Sequence, residues 1–304
     1  MIIVVAPGQG SQTPGFLSPW LEVDGVREQL GTLGEAAKVD LIQHGTISDD
    51  VTIRDTKIAQ PLIVAASLVT GTILLTGRES SVSAFAGHSV GEFAAAALAG
   101  ILSPSDSMSL VGVRGRAMAE EAQRVSTGMS ALLGGEQADI DAKLRELGLF
   151  AANMNGGGQV VVAGDSDALA ALAAEPPAGA RVIPLSVAGA FHTSYMAGAV
   201  ETLRVAAEAV ATSDPTTPIY TNSDGTRVSS GAHYRDLLVG QVSNPVRWDL
   251  CMESFARDGV TGVIELAPAG ALVGLVRRSI KGLPTVAVKT PDDLPTAIEM
   301  LEAS

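Results

Sequence analysis

The chain has 304 residues, 46% of them hydrophobic and 17% charged, which is apolar enough for a large core and about two domains' worth of length. Its 33 acidic against 20 basic residues leave a formal net charge of −13, which excludes nucleic-acid recognition through a broad basic face. The single cysteine, Cys251, excludes an intrachain disulfide and a paired-thiol redox or zinc motif, and it fits a reducing, cytoplasmic setting. Residues 1–6 lack the basic residues of a signal peptide. No membrane span is expected: the apolar stretch 93–102 is short of the roughly 20 residues a bilayer needs. The stretch 62–75 is interrupted by Ser67, Thr70, Gly71 and Thr72, and both stretches read as buried helices.

In chain order, Ile2-Ile3-Val4-Val5-Ala6 is a continuous β-branched run that stops at Pro7-Gly8, the pattern of a strand buried on both faces of a parallel sheet. Residues 61–76 follow Pro61 with helical spacing and end near Gly77. A short strand is expected over 82–86, then Gly87, then an Ala-rich helix over 90–102. Ser103 is a candidate N-cap for a helix that starts at Pro104 and runs to about Gln123. Strand, tight turn and helix in this succession indicate an α/β sheet. The middle differs. Strands are expected over 129–133, 150–155, 160–163 and 181–185, helices over 140–147 and 167–174, with Gly156-Gly157-Gly158 as a turn. That β-α-β-β-α-β order is the ferredoxin-like pattern. The α/β order then resumes with a helix over 248–257, a strand over 260–265, a helix over 272–280 and a strand over 285–288. The expected architecture is a large discontinuous α/β-hydrolase-like domain, residues 1–123 and 191–304, with a small ferredoxin-like α+β subdomain inserted at 124–190. A cleft between the two is a favoured place for a ligand.

Gly87-His88-Ser89-Val90-Gly91 matches G-x-S-x-G and lies between an expected strand and an expected helix, the context the motif requires. A sharp turn there exposes the hydroxyl of Ser89, and the helix start offers free N–H groups to a developing oxyanion. A glycine-rich turn merely capped by Ser89 is the plain alternative. A serine nucleophile needs a base. His88 is adjacent in sequence and its side chain leaves the turn in another direction, while His44 and His233 read as surface loop residues. His192 follows directly after the inserted segment, in Val187-Ala188-Gly189-Ala190-Phe191-His192, where the chain re-enters the large domain at the cleft. It is the favoured base, against the alternative of a structural histidine.

Taking about 100° per residue from Leu110, Arg114 falls within the stripe formed by Val111, Val113, Ala117 and Met118, and Arg116 on the opposite face. Arg116 therefore reads as a solvated charge. Arg114 faces inward and needs an anion, either an internal acid or a substrate carboxylate gripped by its fork of donors. Pro7-Gly8-Gln9-Gly10-Ser11-Gln12 starts like a dinucleotide fingerprint, but Thr13 replaces the third glycine and Pro14 follows. The loop can still present N–H groups at the end of a buried strand, and Gln9 or its amide is a candidate second oxyanion donor. Cys251 reads as a small core residue. Asp165-Ser166-Asp167 and Asp292-Asp293 read as helix caps, and no residue spacing supports a metal site.

Together with Ala59-Gln60-Pro61, Gly87-His88-Ser89-Val90-Gly91-Glu92, Arg114-Gly115, Asn155, Gly158-Gln159-Val160-Val161, Gly189-Ala190-Phe191-His192 and Asn244-Pro245-Val246-Arg247-Trp248, the Gly8–Gln12 loop gives the chain a resemblance along nearly its whole length. It resembles the malonyl-CoA:acyl-carrier-protein transacylase family, including the acyltransferase domains of polyketide synthases, and looks closest to stand-alone actinobacterial members. The resemblance implies Ser89 as nucleophile, His192 as base and the main-chain carbonyl of Gln241 as the group that orients the histidine. It also implies the amides of Gln9 and Val90 as oxyanion hole, Arg114 as partner of the malonyl carboxylate, and Asn155 as a polar cleft residue. Phe191, an aromatic just before the histidine, goes in this family with malonyl rather than methylmalonyl units. Ala267-Pro268-Ala269-Gly270 stands where members commonly have Gly-Pro-Gly, a departure that bears on a turn near the cleft.

The implied reaction is a two-step transfer of malonyl from malonyl-CoA to the phosphopantetheine thiol of an acyl carrier protein, in fatty acid or polyketide synthesis. It implies no cofactor or metal, no nucleic acid or membrane partner, and a monomer. Arg277, Arg278 and Lys281 are one candidate patch for an acidic carrier. Two other readings stay open on the sequence. One is a serine hydrolase with the same elbow and an acid such as Asp139 or Asp165 between Ser89 and His192. The other is a catalytically silent carrier-docking module.

Overall fold

The computed structural model describes residues 1–187 and 189–303; Ala188, in the segment expected to re-enter the large domain, lies outside the described residues, as does Ser304 at the end of the expected large domain. The chain opens with β1 (Ile2–Ala6), α1 (Val26–Ala37), the short α2 (Leu41–Thr46) and α3 (Asp50–Arg54), and the long α4 (Thr56–Leu75). Then come β2 (Val82–Gly87), α5 (Gly91–Leu98) and α6 (Pro104–Ala122). The middle section is β3 (Thr127–Gly134), α7 (Gln137–Leu147), β4 (Phe150–Gly156), β5 (Gln159–Asp165), α8 (Ser166–Ala174) and β6 (Ala180–Pro184). The remainder is α9 (Ala197–Glu208), β7 (Ile219–Tyr220), β8 (Arg227–Val228), α10 (Gly231–Gly240), β9 (Val246–Arg247), α11 (Trp248–Arg257), β10 (Gly262–Glu265), α12 (Ala271–Ser279), β11 (Thr285–Ala287) and α13 (Leu294–Glu302).

The first sheet has the order β11-β10-β1-β2-β7-β8, parallel from β11 to β7, with β8 antiparallel at its edge. The alternation along β1 explains its unbroken apolar run. Ile2, Val4 and Ala6 pack into one core with residues of α4, α5 and α6. Ile3 and Val5 pack into another, against Trp248 and Phe255 of α11 and Leu272 and Val276 of α12. Both faces are covered, so each side chain is withdrawn from water and contributes about 1.5–3 kcal/mol where it is large. The central position of β1 puts its carboxyl end, Pro7–Gln9, beside the turn that follows β2.

The second sheet has the order β6-β3-β5-β4-β9. Its first four strands each run antiparallel to their neighbours, and α7 and α8 cover one face through Leu132, Ile140, Leu144, Val162 and Leu172. The expected β-α-β-β-α-β succession is therefore present; its first five elements are longer than expected by up to three residues at an end, and β6 has the expected length shifted by one residue. Three two-residue strands were not anticipated, β7 and β8 in the first sheet and β9 in this one. Two residues of the returning chain, Val246 and Arg247, pair parallel with Asn153 and Met154 of β4, so the later part of the chain adds an edge to the middle section's sheet.

Several elements differ from the sequence expectation. Pro61 lies inside α4 rather than before it, because Asp55 caps the helix by accepting from the Lys57 amide at 3.1 Å. By length and composition α4 could cross a membrane, yet 83% of its apolar window is buried inside the protein. The helix expected over 90–102 stops at Leu98. Gly100 adopts φ +82° and Ile101 N–H reaches back to the Ala96 carbonyl at 2.9 Å, a closure that ends the helix. His44 and His233 sit on α2 and α10 rather than in loops. Ser103 caps α6 as expected, accepting from Asp106 N–H at 3.0 Å.

Candidate active site

The turn between β2 and α5 is forced by its neighbours. A Cβ on Gly87 would lie 2.2 Å from the Glu92 nitrogen, and one on Gly91 would lie 2.2 Å from the Ala6 oxygen, so neither position admits a side chain. Between them Ser89 takes φ +52°, a left-handed conformation that costs a non-glycine residue about 1–3 kcal/mol. Asn222, fully buried, holds both sides of the turn: its Oδ1 accepts from Ser89 N–H at 2.8 Å and its Nδ2 donates to the Gly87 carbonyl at 2.7 Å.

His192 meets this turn from the other side. Its Nε2 lies 2.7 Å from Ser89 Oγ and its Nδ1 2.8 Å from the Gln241 carbonyl. A carbonyl only accepts, so the hydrogen-bond network assigns the proton to Nδ1 and leaves the Nε2 lone pair facing the serine hydroxyl. Burial first, and the charge of Arg114 second, push His192 down to about 3. The imidazole is thus neutral near pH 7 and free to accept a proton. Neither acid weighed for a triad touches it: Asp139 lies on α7, and Asp165 caps α8 by accepting from Asp167 N–H at 2.9 Å. A backbone carbonyl stands where a hydrolase triad has a carboxylate.

Arg114 projects from α6 into the same place and is 1% exposed, as its helical position predicts. Its Nη2 lies 3.4 Å from Ser89 Oγ and donates to Gln241 Oε1 at 3.3 Å, while Nε and Nη1 are buried without a partner. Burial pulls its pKa down to about 10, with the charge of Glu92 opposing, so the group stays cationic at neutral pH. Unsatisfied donors on a buried cation are costly unless an anion arrives. Arg116 is a correction. It is half-buried rather than solvated, and its Nη1 donates at 2.9 Å to the Ala37 carbonyl at the C-terminus of α1.

These groups open on a cavity of about 430 Å³ between the two sheets. Val90 lines it at the start of α5, and its amide has no hydrogen bond among the described residues, consistent with an anion-facing donor. Gln9 also lines it, with its side chain directed to Thr56 Oγ1 at 3.4 Å; this leaves the backbone amide rather than the carboxamide as the available donor. Phe191 forms part of the wall with Met118 and Met129. From the second sheet, Asn155 Oδ1 accepts from His88 Nε2 at 2.8 Å and Asn155 Nδ2 donates to Gln159 Oε1 at 3.0 Å, tying the turn to the opposite wall. His88 thus leaves the turn away from Ser89, as expected. Of the basic trio on and after α12, only Arg278 lines the cavity; Arg277 instead donates to Thr285 Oγ1 at 2.7 Å. Gly270 also lines it, following Ala269, whose φ is +49°. Glu265 holds this turn by accepting from the amides of Gly270 at 2.9 Å and Leu272 at 3.0 Å. Cys251 is fully buried in the core, and burial raises its thiol.

Sequence reasoning missed Asn222 and gave Glu92 no role beyond the motif that contains it. Asn222 carried no signal, since Asn222-Ser223-Asp224-Gly225 reads as an ordinary turn. Glu92 did carry one, an acid three residues into an apolar helix, and it is 1% exposed. Among the described residues no group of three or more His, Cys, Asp or Glu side chains could hold a metal ion.

A mostly parallel α/β sheet with Ser89 on the turn after an inner strand, His192 brought against it from a distant segment, and a buried guanidinium with two unpartnered nitrogens beside them, defines an α/β enzyme arranged for acyl chemistry on an anionic group. Comparison narrows the class. The acyl transferase domain family matches residues 4–292, and the chain belongs to that family. A malonyl CoA-acyl carrier protein transacylase of Mycobacterium tuberculosis (strain ATCC 25618 / H37Rv) is 46% identical over 97% of this chain and 98% of its own. One of Escherichia coli (strain K12) is 30% identical over 97% and 98%. The crystal structure of MCAT from Mycobacterium tuberculosis superposes with a TM-score of 0.95 at 45% identity, covering 98% of this chain and 99% of that one. A malonyl-transacylase solved in complex with its type II PKS acyl-carrier protein superposes with a TM-score of 0.91 at 29% identity, covering 98% and 99%.

Proposed function

We propose that this protein is a malonyl-CoA:acyl-carrier-protein S-malonyltransferase. The observation that carries the reading is Arg114: a buried cation with two unpartnered donor nitrogens, its Nη2 3.4 Å from the oxygen of a serine already paired with a histidine. Such a group has use for an acyl chain that ends in a carboxylate and little for a neutral ester. The names of the relatives support the same choice.

In the proposed reaction Ser89 Oγ attacks the malonyl thioester carbonyl while His192 Nε2 takes the hydroxyl proton. The amides of Val90 and Gln9 face the developing oxyanion, and Arg114 binds the far carboxylate. Collapse breaks the carbon–sulfur bond and His192 returns the proton to the leaving CoA thiolate, giving malonyl-Ser89. In the second half a carrier's phosphopantetheine thiol gives its proton to His192 and attacks the ester; the proton then returns to Ser89 Oγ. The Gln241 carbonyl holds His192 in the tautomer both halves need. Burial of the site favours transfer to a bound thiol over water.

The reaction draws on no cofactor. The proposed partner is an acyl carrier protein, with Arg278 at the cavity edge as a basic contact, and the proposed pathways are fatty acid or polyketide synthesis. Membrane and nucleic acid have no part in it. The proposed working unit is one chain. The proposed compartment is the cytoplasm, which a lone buried thiol suits. Phe191 and Asn155 are proposed as walls of the acyl site, the ring occupying space that an α-methyl group would need. A panel of acyl-CoA donors scored for acyl-enzyme formation tests the reading. Malonyl is expected to lead, with methylmalonyl behind by no more than about 1–3 kcal/mol per methyl and acetyl far behind. Equal acylation by acetyl and malonyl would overturn it.

A further inference from the structure

Glu92 takes no part in the reaction as written, yet it sits behind the groups that do. It is 1% exposed, on the first turn of α5. Its Oε1 accepts from the Asn222 backbone amide at 2.7 Å, and its Oε2 accepts from Gln241 Nε2. Gln241 Nε2 also donates to Asn222 Oδ1 at 3.2 Å, while Gln241 Oε1 accepts from Arg114 Nη2 at 3.3 Å. The Gln241 carboxamide thus lies between a carboxylate on one side and a guanidinium on the other.

That placement dictates its orientation. A guanidinium only donates and an amide oxygen only accepts, so the Gln241 amide oxygen must face Arg114 and its nitrogen is left to face Asn222 Oδ1 and Glu92 Oε2. The reversed amide would set donor against donor at Arg114 and oxygen against oxygen at Asn222. We propose that Glu92 is a positioning residue: by fixing the Gln241 carboxamide it fixes the Arg114 guanidinium, and so sets the preference for acyl groups that end in a carboxylate. The inference rests on the malonyl-transfer reading and deepens it. Burial pushes the Glu92 carboxyl up to about 8, against the opposing pull of hydrogen bonds from the Asn222 amide, Tyr234 and Thr221 and of the Arg114 charge, so it is the geometry around Gln241 and not the charge of Glu92 that carries the assignment.

The test is single-turnover acylation of the full chain by malonyl-CoA and by acetyl-CoA, in the unmodified protein and in Glu92→Gln. The substitution keeps the size of the side chain but must turn an amide donor toward either Gln241 Nε2 or the Asn222 amide. The expected result is a fall of roughly tenfold in the malonyl-to-acetyl rate ratio, the size of one charge-assisted hydrogen bond. A loss shared equally by both donors, or no loss, would overturn the proposal, because a merely structural role lowers both rates together. If Glu92→Gln does not fold, Gln241→Leu cuts the same link from the other side while its main-chain carbonyl still serves His192. The same fall in ratio is then expected, and an unchanged ratio overturns the proposal. Failure of the underlying reading would look different: the unmodified protein itself would show no preference for malonyl.

Discussion

The two sheets divide the work unequally. The six-stranded sheet is covered on both faces, and Ser89 lies on the turn that ends one of its inner strands, while Arg114, His192 and Gln241 come from segments packed around it. The second sheet has its own core on one face and gives the cavity only uncharged groups, among them Asn153, Asn155 and Val161. Its edge strand β6 is half exposed along its length, whereas every residue of β1 is buried. Groups that make and break bonds need placement within a few tenths of an ångström, which a frame packed on both faces supplies; a wall that only selects tolerates a looser support.

The comparison can be broken most sharply at Ser89. Ser89→Ala is expected to lower malonyl transfer by roughly 10⁴-fold or more, measured as carrier acylation, since among the described residues Ser89 Oγ is the hydroxyl hydrogen-bonded to His192. Arg114→Ala is expected to cost about a hundredfold with malonyl-CoA and less than about tenfold with acetyl-CoA, in the same assay. On the opposite wall, Asn155→Ala removes the partner of His88 Nε2 and is expected to cost only about fivefold, with little change between donors. A loss there as large as that at Arg114 would mean that the second sheet carries chemistry too.

The pH dependence sharpens the same contrast. His192 is depressed from 6.5 to about 3 in the folded protein, by burial and then by Arg114. A depressed histidine binds its proton more readily when unfolded, so its neutral form adds stability fully present above about 6.5 and lost as pH falls toward 3. Between about 4.5 and 6.5 this loss is offset by Glu92, which burial raises from 4.5 to about 8 and which therefore gains stability as pH falls to 4.5, so thermal unfolding midpoints are expected to drop mainly between about 4.5 and 3, and kcat/KM is expected to show no acid limb centred near 6.5. The smallest effect is at the α12 turn. Ala269 holds φ +49°, and Ala269→Gly is expected to stabilise the fold by up to about 1 kcal/mol in denaturant titration, with transfer unchanged.

What was legible in the sequence followed from periodicity and from backbone need. The run Ile2–Ala6, the paired glycines around Ser89 and the inward angle of Arg114 each state a physical requirement that a single segment reveals. The role of the Gln241 carbonyl came only through the family resemblance, because a main-chain oxygen leaves no mark in the sequence. Asn222 stayed hidden for a related reason: its partners Ser89 and Gly87 lie over a hundred positions away, and a two-residue strand does not announce where it will lie. Arg116 was misplaced because the wheel places a side chain relative to its own helix and not to the end of α1. The start of α4 was misread at Pro61, since a proline late in the first turns is indistinguishable in sequence from one that opens a helix.

The central claim is a covalent malonyl group on Ser89 that a carrier thiol can take. Brief incubation with malonyl-CoA, followed by proteolysis and peptide mass analysis before and after adding phosphopantetheinylated carrier protein, measures it directly. The predicted result is one malonyl adduct on the peptide that contains Ser89, absent from Ser89→Ala and discharged onto the carrier. An adduct mapped to another residue, no adduct at all, or release as free malonate with the carrier left unloaded would contradict the account.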